Sequence, residues 1–231
     1  MEHYDAYGLN INIEDDNLLN NDLKNRLRTE VWERDEVDAV RFIDPESCVL
    51  ELGGCIGITS VVLNKKLKDP NKHVVLEPNH KLIPVMEKIR DDNNAHFNIV
   101  NSCLLTEEVD VRFSLHPHHV MAGQLGALPG WESTIKTSTT MGTLEERFAL
   151  QFDTIVMDIE HGEYVLHENN FFSKEGMQNI KFLMIELHNS PHKNKLIRHL
   201  GGIFDRTMVM SDSNSEALYA SSVIIYSKVG Q

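Results

Sequence analysis

The sequence predicts a doubly wound α/β domain, Rossmann-like, whose mostly parallel sheet ends in an antiparallel hairpin. Three observations predict it. Short apolar runs alternate with segments of helical periodicity from Cys48 onward. The first of these runs ends in a glycine turn, Gly53-Gly54-Cys55-Ile56-Gly57, that opens a helix. Near the C-terminus two β-rich runs flank a polar turn. A β-α-β-α-β rhythm implies a parallel sheet with helices on both faces.

Taken in order, residues 1–21 are polar, rich in Asn and Asp, and read as a loosely held lead-in. Leu23, Leu27, Val31, Val37 and Val40 then recur at helical spacing, which predicts one or two amphipathic helices packed on a larger body. Residues 1–45 are thus lead-in and packing helices, and 46–231 the main domain. Cys48 to Leu52 is the first strand, Ile58 to Leu67 a helix, and His73 to Glu77 the second strand. Pro78-Asn79 breaks that strand, and Lys81 to Asn93 is a helix with Leu82, Val85, Met86 and Ile89 on one face. Asn98 to Val100 starts a third strand; Phe152 to Ile159 and Phe182 to Leu187 are two more. Ile203 to Met210 and Leu218 to Lys228, joined across Ser211-Asp212-Ser213-Asn214-Ser215, read as the antiparallel pair. An insertion of about 109–143 separates the third and fourth main strands. It is too long for a simple turn, and long loops are usually functional or mobile, so acceptor contacts are expected there.

Bulk properties narrow the functional classes. A chain of 231 residues suffices for one domain with a real core. A net charge of −13 repels polyanions and argues against nucleic acid as a partner. Lys65, Lys66 and Lys68 are the densest basic group, and a solvated helix end accounts for them. Cys48, Cys55 and Cys103 show no CxxC spacing, so neither a disulfide framework nor a zinc site is indicated. The apolar runs fall short of the roughly 20 residues that span a bilayer, and the N-terminus lacks the basic start and apolar stretch of a secretory signal. A cytoplasmic location without a membrane partner is the expectation. The apolar N-terminal helices could serve a homodimer.

Four groups of residues carry chemistry. At the glycine turn, Gly53 and Gly57 let a ligand approach the backbone, and the helix after Gly57 offers free N–H groups. The spacing is neither GxGxxG nor a phosphate loop. Glu77 ends the second strand, where an acid accepts hydrogen bonds from both ribose hydroxyls of an adenosine ligand. Asp158, Glu160 and Glu163 place three acids within six positions. Such crowding is costly unless a cation is near, and Glu160 and Glu163 can also serve the first turn of the next helix. Glu186 and His188 alternate on one strand and point to the same side. A carboxylate beside an imidazole can tune a general base near neutral pH, or simply hold the ring in place. His116, His118 and His119 lie in a Pro-interrupted loop without metal-ligand spacing.

Several of these segments resemble the FkbM family of methyltransferases. Leu50-Glu51-Leu52-Gly53-Gly54-Cys55-Ile56-Gly57 is similar to the family's first motif, with Glu51 where Asp is usual and Gly54-Cys55 where Ala-Asn is usual. Glu77-Pro78-Asn79 matches its Glu-Pro-Asn, and Thr143-Leu144-Glu145-Glu146 resembles its Thr-Leu-Asp-Asp. Asp158-Ile159-Glu160-His161-Gly162-Glu163 resembles its Asp-Val-Glu-Gly-x-Glu, and Ile185-Glu186-Leu187-His188 its Ile-Glu-Val-His. The resemblance spans roughly Val31 to His188, with the motifs in order.

It implies a class I methyltransferase fold, S-adenosylmethionine as cofactor, and O-methylation of a sugar or other small hydroxylated acceptor. By position, Glu51 and Gly53, Gly54, Cys55 and Gly57 would lie against the methionine part. Glu77 would hold the ribose, and Pro78 and Asn79 would be further cofactor contacts. Asn101, Ser102 and Cys103 would lie near the adenine. Asp158 would face the sulfonium; a Mg²⁺ ion is a second candidate for that charge, and no metal site is assigned. His188 is the first choice of base and Glu160 the second. Competing readings are a protein or nucleic-acid methyltransferase, a dinucleotide-dependent oxidoreductase, which the glycine spacing and terminal hairpin disfavour, and a cofactor-binding module without catalysis.

Overall fold

The computed structural model describes residues 2–13, 18–117, 119, 121–211 and 221–229. The polar lead-in is not loosely held. Strands β1 (Glu2–Ala6) and β2 (Leu9–Ile13) form an antiparallel hairpin. Tyr7 and Gly8 turn it, with φ of 54° and 69°. Positive φ at both turn positions matches the twist of a two-residue hairpin. Tyr4, Ala6, Leu9, Ile11 and Ile13 are buried, while Asn and Asp occupy the outer positions. The alternation is period two, hidden at the level of composition by the polar residues between.

Helices α1 (Asn21–Arg28) and α2 (Arg34–Ala39) follow, the second continued by a 3₁₀ turn, Val40–Phe42. The Asn20 side chain caps α1 by accepting from the Leu23 N–H, one of the donors a helix start leaves free. The main body then alternates β3 (Val49–Leu52), α3 (Ile58–Lys66), β4 (His73–Leu76), α4 (Ile83–Asp92) and β5 (Asn98–Val100). The inserted strands β6 (Asp110–Leu115), β7 (Gly123–Leu125) and β8 (Glu132–Thr137) come next, then α5 (Met141–Phe148), β9 (Thr154–Met157) and α6 (Gly162–Glu168). Strand β10 (Phe182–His188), α7 (Lys193–Gly201), β11 (Arg206–Val209) and β12 (Ser221–Ser227) complete the fold.

Seven strands form the main sheet in the order β11-β12-β10-β9-β3-β4-β5. The neighbours from β10 to β5 are parallel, and β12 runs antiparallel to both β10 and β11. The expected terminal pair is therefore present; 212–220, which contain most of its connecting turn, lie outside the described residues.

Strand alternation sorts the core into two layers. Leu50, Leu52, Ile155, Met157, Leu183 and Ile185 pack against Leu166 of α6 and Leu196 and Leu200 of α7. Val49, Val156 and Met184 face the other way, onto Ala39, Val40 and Leu63. The hairpin packs on that second face with α3 and α4, through Ile11, Ile56, Ile58 and Met86. Asn93 ties it down: its side chain accepts from the Asn10 N–H at 2.9 Å and donates to the Asn10 carbonyl at 2.7 Å.

The insertion is not an open loop. Its strands form a separate antiparallel sheet, ordered β7-β6-β8. Gly123 is needed inside it, since a Cβ there would lie 2.3 Å from the Phe113 ring.

If the hairpin is part of the core, Ile11→Ala should destabilise the protein by about 2–4 kcal/mol, the usual cost of truncating a buried aliphatic side chain. Urea denaturation followed by tryptophan fluorescence measures this. An unchanged midpoint would return residues 2–13 to the status of a detachable lead-in.

Candidate functional site

The site forms where the parallel strands end. Gly53 leaves β3 with φ +86°, and its N–H donates to the Leu76 carbonyl at 2.9 Å. A Cβ on Gly53 would lie 1.7 Å from the Asp158 carbonyl oxygen, so only glycine allows this approach. A Cβ on Gly54 would lie 2.3 Å from Val75 Cγ1. Gly57, at φ +91°, opens α3. Cys55 takes φ +50° and His161 φ +72°. Left-handed backbone is what Gly and Asn adopt most readily, so the fold holds both side chains on backbone that other residues seldom take.

Leu52 and Gly53 line two pockets, one on each side of the β3 end. The first is mainly apolar, with Pro78, Ser102, Cys103, Phe113 and Ile159. Phe113 and Leu125 come from the inserted sheet, so the insertion closes this pocket. Beside it, Glu77 is buried. One carboxylate oxygen accepts from the Cys55 N–H at 2.9 Å, the other from the Asn79 N–H at 2.7 Å. Burial pushes its pKa up to about 7, although both backbone N–H groups pull the other way. Asn101 donates to the Glu77 carbonyl at 2.7 Å and accepts from Lys136 at 2.6 Å.

The second pocket is acidic. Glu33, Glu36, Glu51, Asp158 and Glu186 line it, with Thr59. Glu33 accepts from both the N–H and the hydroxyl of Thr59, at 3.0 and 2.8 Å. Burial raises its pKa to about 7; burial, and after it Glu186, also holds Glu36 well above the usual carboxylate range. Glu51 lines the wall without a free oxygen. One oxygen accepts from Ser60 at 2.8 Å and the other meets His73 Nε2 at 2.8 Å, both partners buried. Glu51 thus lines the acidic pocket while its carboxylate, through Ser60 and His73, also braces the turn.

His188 lies beside the acidic pocket, next to its Asp158. Its partner is Glu163 and not Glu186. The fully buried Glu163 accepts from the His188 backbone N–H at 3.0 Å and pairs with Nδ1 at 3.2 Å. The Tyr164 hydroxyl donates to the His188 carbonyl. Nε2 points the other way, 3.4 Å from Glu160 and 3.8 Å from Asp158. Burial disfavours the imidazolium, but Glu163, Glu160 and Glu186 outweigh it and push the pKa up to about 9. These carboxylates favour the protonated ring and move it above the near-neutral range expected from the sequence. Asp158 and Glu160 are both raised, by desolvation first and then by neighbouring carboxylates; about a third of each side chain stays open to solvent, which moderates the effect.

The strand ends thus bring together Gly53, Gly54, Cys55, Glu77, Pro78, Asn79, Ser102, Cys103, Asp158, Glu160 and His188. Of the loop histidines, His116 packs edge-on against Trp131 and His118 lies outside the described residues. Sequence reading missed Glu33 and Glu36, because charges on an amphipathic helix read as its solvated face. It missed His73 as the partner of Glu51, and Phe113 and Leu125 as pocket walls. Val111 to Leu115 carried a β-like signal that could have found Phe113.

Comparison with family models and with curated protein sequences gives no match. Among solved structures, the chain is similar to the precorrin-6y C5,15-methyltransferase of Geobacter metallireducens GS-15, at 13% identity over 94% of this chain and 98% of that one, with a TM-score of 0.50. It is similar to an rRNA methylase from Streptococcus thermophilus, at 7% identity over 84% and 94%, TM-score 0.50. The M. jannaschii tRNA m1G37 methyltransferase matches at 10% identity over 97% of this chain and 56% of that one, TM-score 0.50. At such identities the likeness is one of fold: the mostly parallel sheet with its antiparallel last strand is that of Rossmann-like methyltransferases.

The raised pKa of Glu77 has a sign that can be checked. A carboxyl whose pKa is higher folded than unfolded contributes stability that is present below the unfolded value and lost as pH rises through the folded one. For Glu77 the window runs from the ordinary 4.5 to about 7. Glu77→Gln should therefore gain on the wild type as pH rises from 5 to 8 in paired thermal melts of the ligand-free protein. A difference in Tm that stays flat with pH would place the Glu77 carboxylate in water.

Proposed function

We propose that this chain is an S-adenosylmethionine-dependent methyltransferase, similar to the FkbM family, that methylates a hydroxyl of a sugar or another small acceptor. One observation carries the reading. Two pockets of opposite character meet at Gly53: an apolar one beside a buried carboxylate, and one lined by acids. An adenosine that ends in a sulfonium and a zwitterionic amino acid, cationic overall, has that same division. Glu77 would accept from the ribose hydroxyls, while Pro78, Ser102 and Cys103 would flank the adenine. Asp158, Glu186 and Glu36 would face the cationic end. Bound there, the cofactor supplies an electrophilic methyl group to an acceptor oxygen.

The remaining work falls to the chain's own residues. Gly53 and Gly57 keep side chains out of the way. Phe113 and Leu125 exclude water from the apolar side. Asp158, Glu160 and His188 form the end of the cleft that an acceptor hydroxyl would meet. Methyl transfer asks for alignment and electrostatics more than for covalent help, so a cleft that fixes both reactants can supply most of the acceleration. Among the described residues no helix is long and apolar enough to cross a membrane.

Calorimetric titration with S-adenosylhomocysteine should show micromolar binding, and a parallel titration with NADH none. Glu77→Ala should weaken the former by about tenfold or more, through loss of the hydrogen bonds to a charged acceptor. No binding by the wild type would remove the cofactor assignment.

In an assay of S-adenosylhomocysteine release over a panel of sugars and small alcohols, His188→Ala should lower turnover by about 100-fold with cofactor affinity nearly intact. Full activity in that variant would take His188 out of the reacting end. Cofactor binding without turnover on any acceptor would favour a binding module.

A further inference from the structure

The geometry points to a divalent first-row transition-metal site made by Asp158, Glu160 and His188 at the acceptor end of the cleft. The inference rests on the reading above only for where the acceptor lies; the donor set stands on its own. One donor atom from each residue lies within 4.8 Å of the others, and this is the single such group among the described residues. His188 Nε2 is 3.4 Å from Glu160 Oε2 and 3.8 Å from Asp158 Oδ1. Two donors each about 2.1 Å from one ion stand about 3–4 Å apart, so an ion fits with little movement.

Three independent features point to a cation there. The His188 side chain is nine-tenths buried, and Nε2 aims at two carboxylates from 3.4 and 3.8 Å. Asp158 Oδ1 is itself buried without a hydrogen-bond partner. The opposite ring nitrogen is held by Glu163, whose side chain is fully buried and also grips the His188 backbone. A carboxylate on the far nitrogen is how metal-binding imidazoles are oriented and kept with a lone pair facing the ion. The acids alone would suit many cations. The imidazole narrows the class, because Mg²⁺ and Ca²⁺ prefer oxygen while Mn²⁺, Fe²⁺, Co²⁺ and Zn²⁺ accept mixed nitrogen and oxygen ligands.

Three protein donors leave coordination positions open, as in sites that take a substrate or water. They open on the cleft where an acceptor hydroxyl would arrive. The ligand class that fits is therefore an oxygen chelator, such as an acceptor with neighbouring hydroxyls. The competing arrangement is a bare imidazolium between the carboxylates, and the two differ in whether a metal binds.

Mn²⁺ is the probe. Titrated into the full chain and followed by loss of the free-ion EPR signal, it should bind at one site with micromolar affinity. Mg²⁺ should displace it at least about tenfold less effectively than Co²⁺ does. Glu160→Gln, at a partly exposed position that should fold normally, should weaken Mn²⁺ binding by about tenfold or more, and His188→Gln likewise. Glu163→Gln should weaken it too, with the Tm measured beside it to separate misfolding from lost orientation. Absence of Mn²⁺ binding, or binding that Glu160→Gln and His188→Gln leave unchanged, would overturn the site. S-Adenosylhomocysteine titrated into the same samples keeps the two readings apart. Cofactor binding without Mn²⁺ removes the metal site alone, and Mn²⁺ binding without the cofactor removes the methyltransferase reading alone.

Discussion

At the carboxyl ends of β3, β9 and β10, the chain holds Asp158, Glu160, Glu163 and Glu186 around one imidazole, with Glu33 and Glu36 closing the cleft from the N-terminal helices. Like charges at these separations in a partly dry cleft repel, and the raised pKa values of Glu33, Glu36, Asp158 and Glu160 record that repulsion together with desolvation. A fold keeps such an arrangement only if the surrounding structure imposes it. Here it is imposed from below. Gly53 packs on the Asp158 carbonyl, which draws the β3 turn against β9, and the parallel register puts Glu186 one strand further along. The crowding is thus a product of sheet geometry. What relieves it is positive charge, and His188 supplies part of that from within.

The same sheet gives the two sides of the cleft opposite chemistry. On the β4 side, Glu77 is surrounded by backbone N–H donors and apolar walls. On the β10 side, carboxylates face one another across open space. A ligand that is flat and uncharged at one end and cationic at the other satisfies both, whereas a dinucleotide would bring its pyrophosphate toward acids. That contrast supports the proposed cofactor over a dinucleotide, a choice that the spacing from Gly57 to Glu77 leaves open.

Much of the frame was legible in the sequence. Cys48 to Leu52, His73 to Glu77 and Phe182 to Leu187 are buried strands of a parallel sheet and read as continuous apolar runs. The glycine turn and Glu77 were legible because backbone conformation and strand-end position restrict which residues can stand there. Other parts were hidden for physical reasons. The N-terminal hairpin alternates Leu9, Ile11 and Ile13 with asparagines, so its composition resembles a disordered lead while its periodicity does not. Glu163 reads as an ordinary acid in the first turn of a helix, and only the folded chain brings it to His188 across 25 positions. The insertion has short, half-exposed strands whose partners are one another, and their pairing depends on contacts that local pattern does not encode.

The position of β12 sets an order on assembly. It follows β11 in the chain yet lies between β10 and β11, and β11 has no other hydrogen-bonded neighbour in the sheet. Until β12 docks, β10 keeps an open edge and β11 has nothing to pair with. The pairing of β10 with β12 spans some forty residues and runs the whole length of β10, from Phe182 to His188. β12 therefore borders the acid-lined end of the cleft directly, since Ser221 pairs with His188 itself.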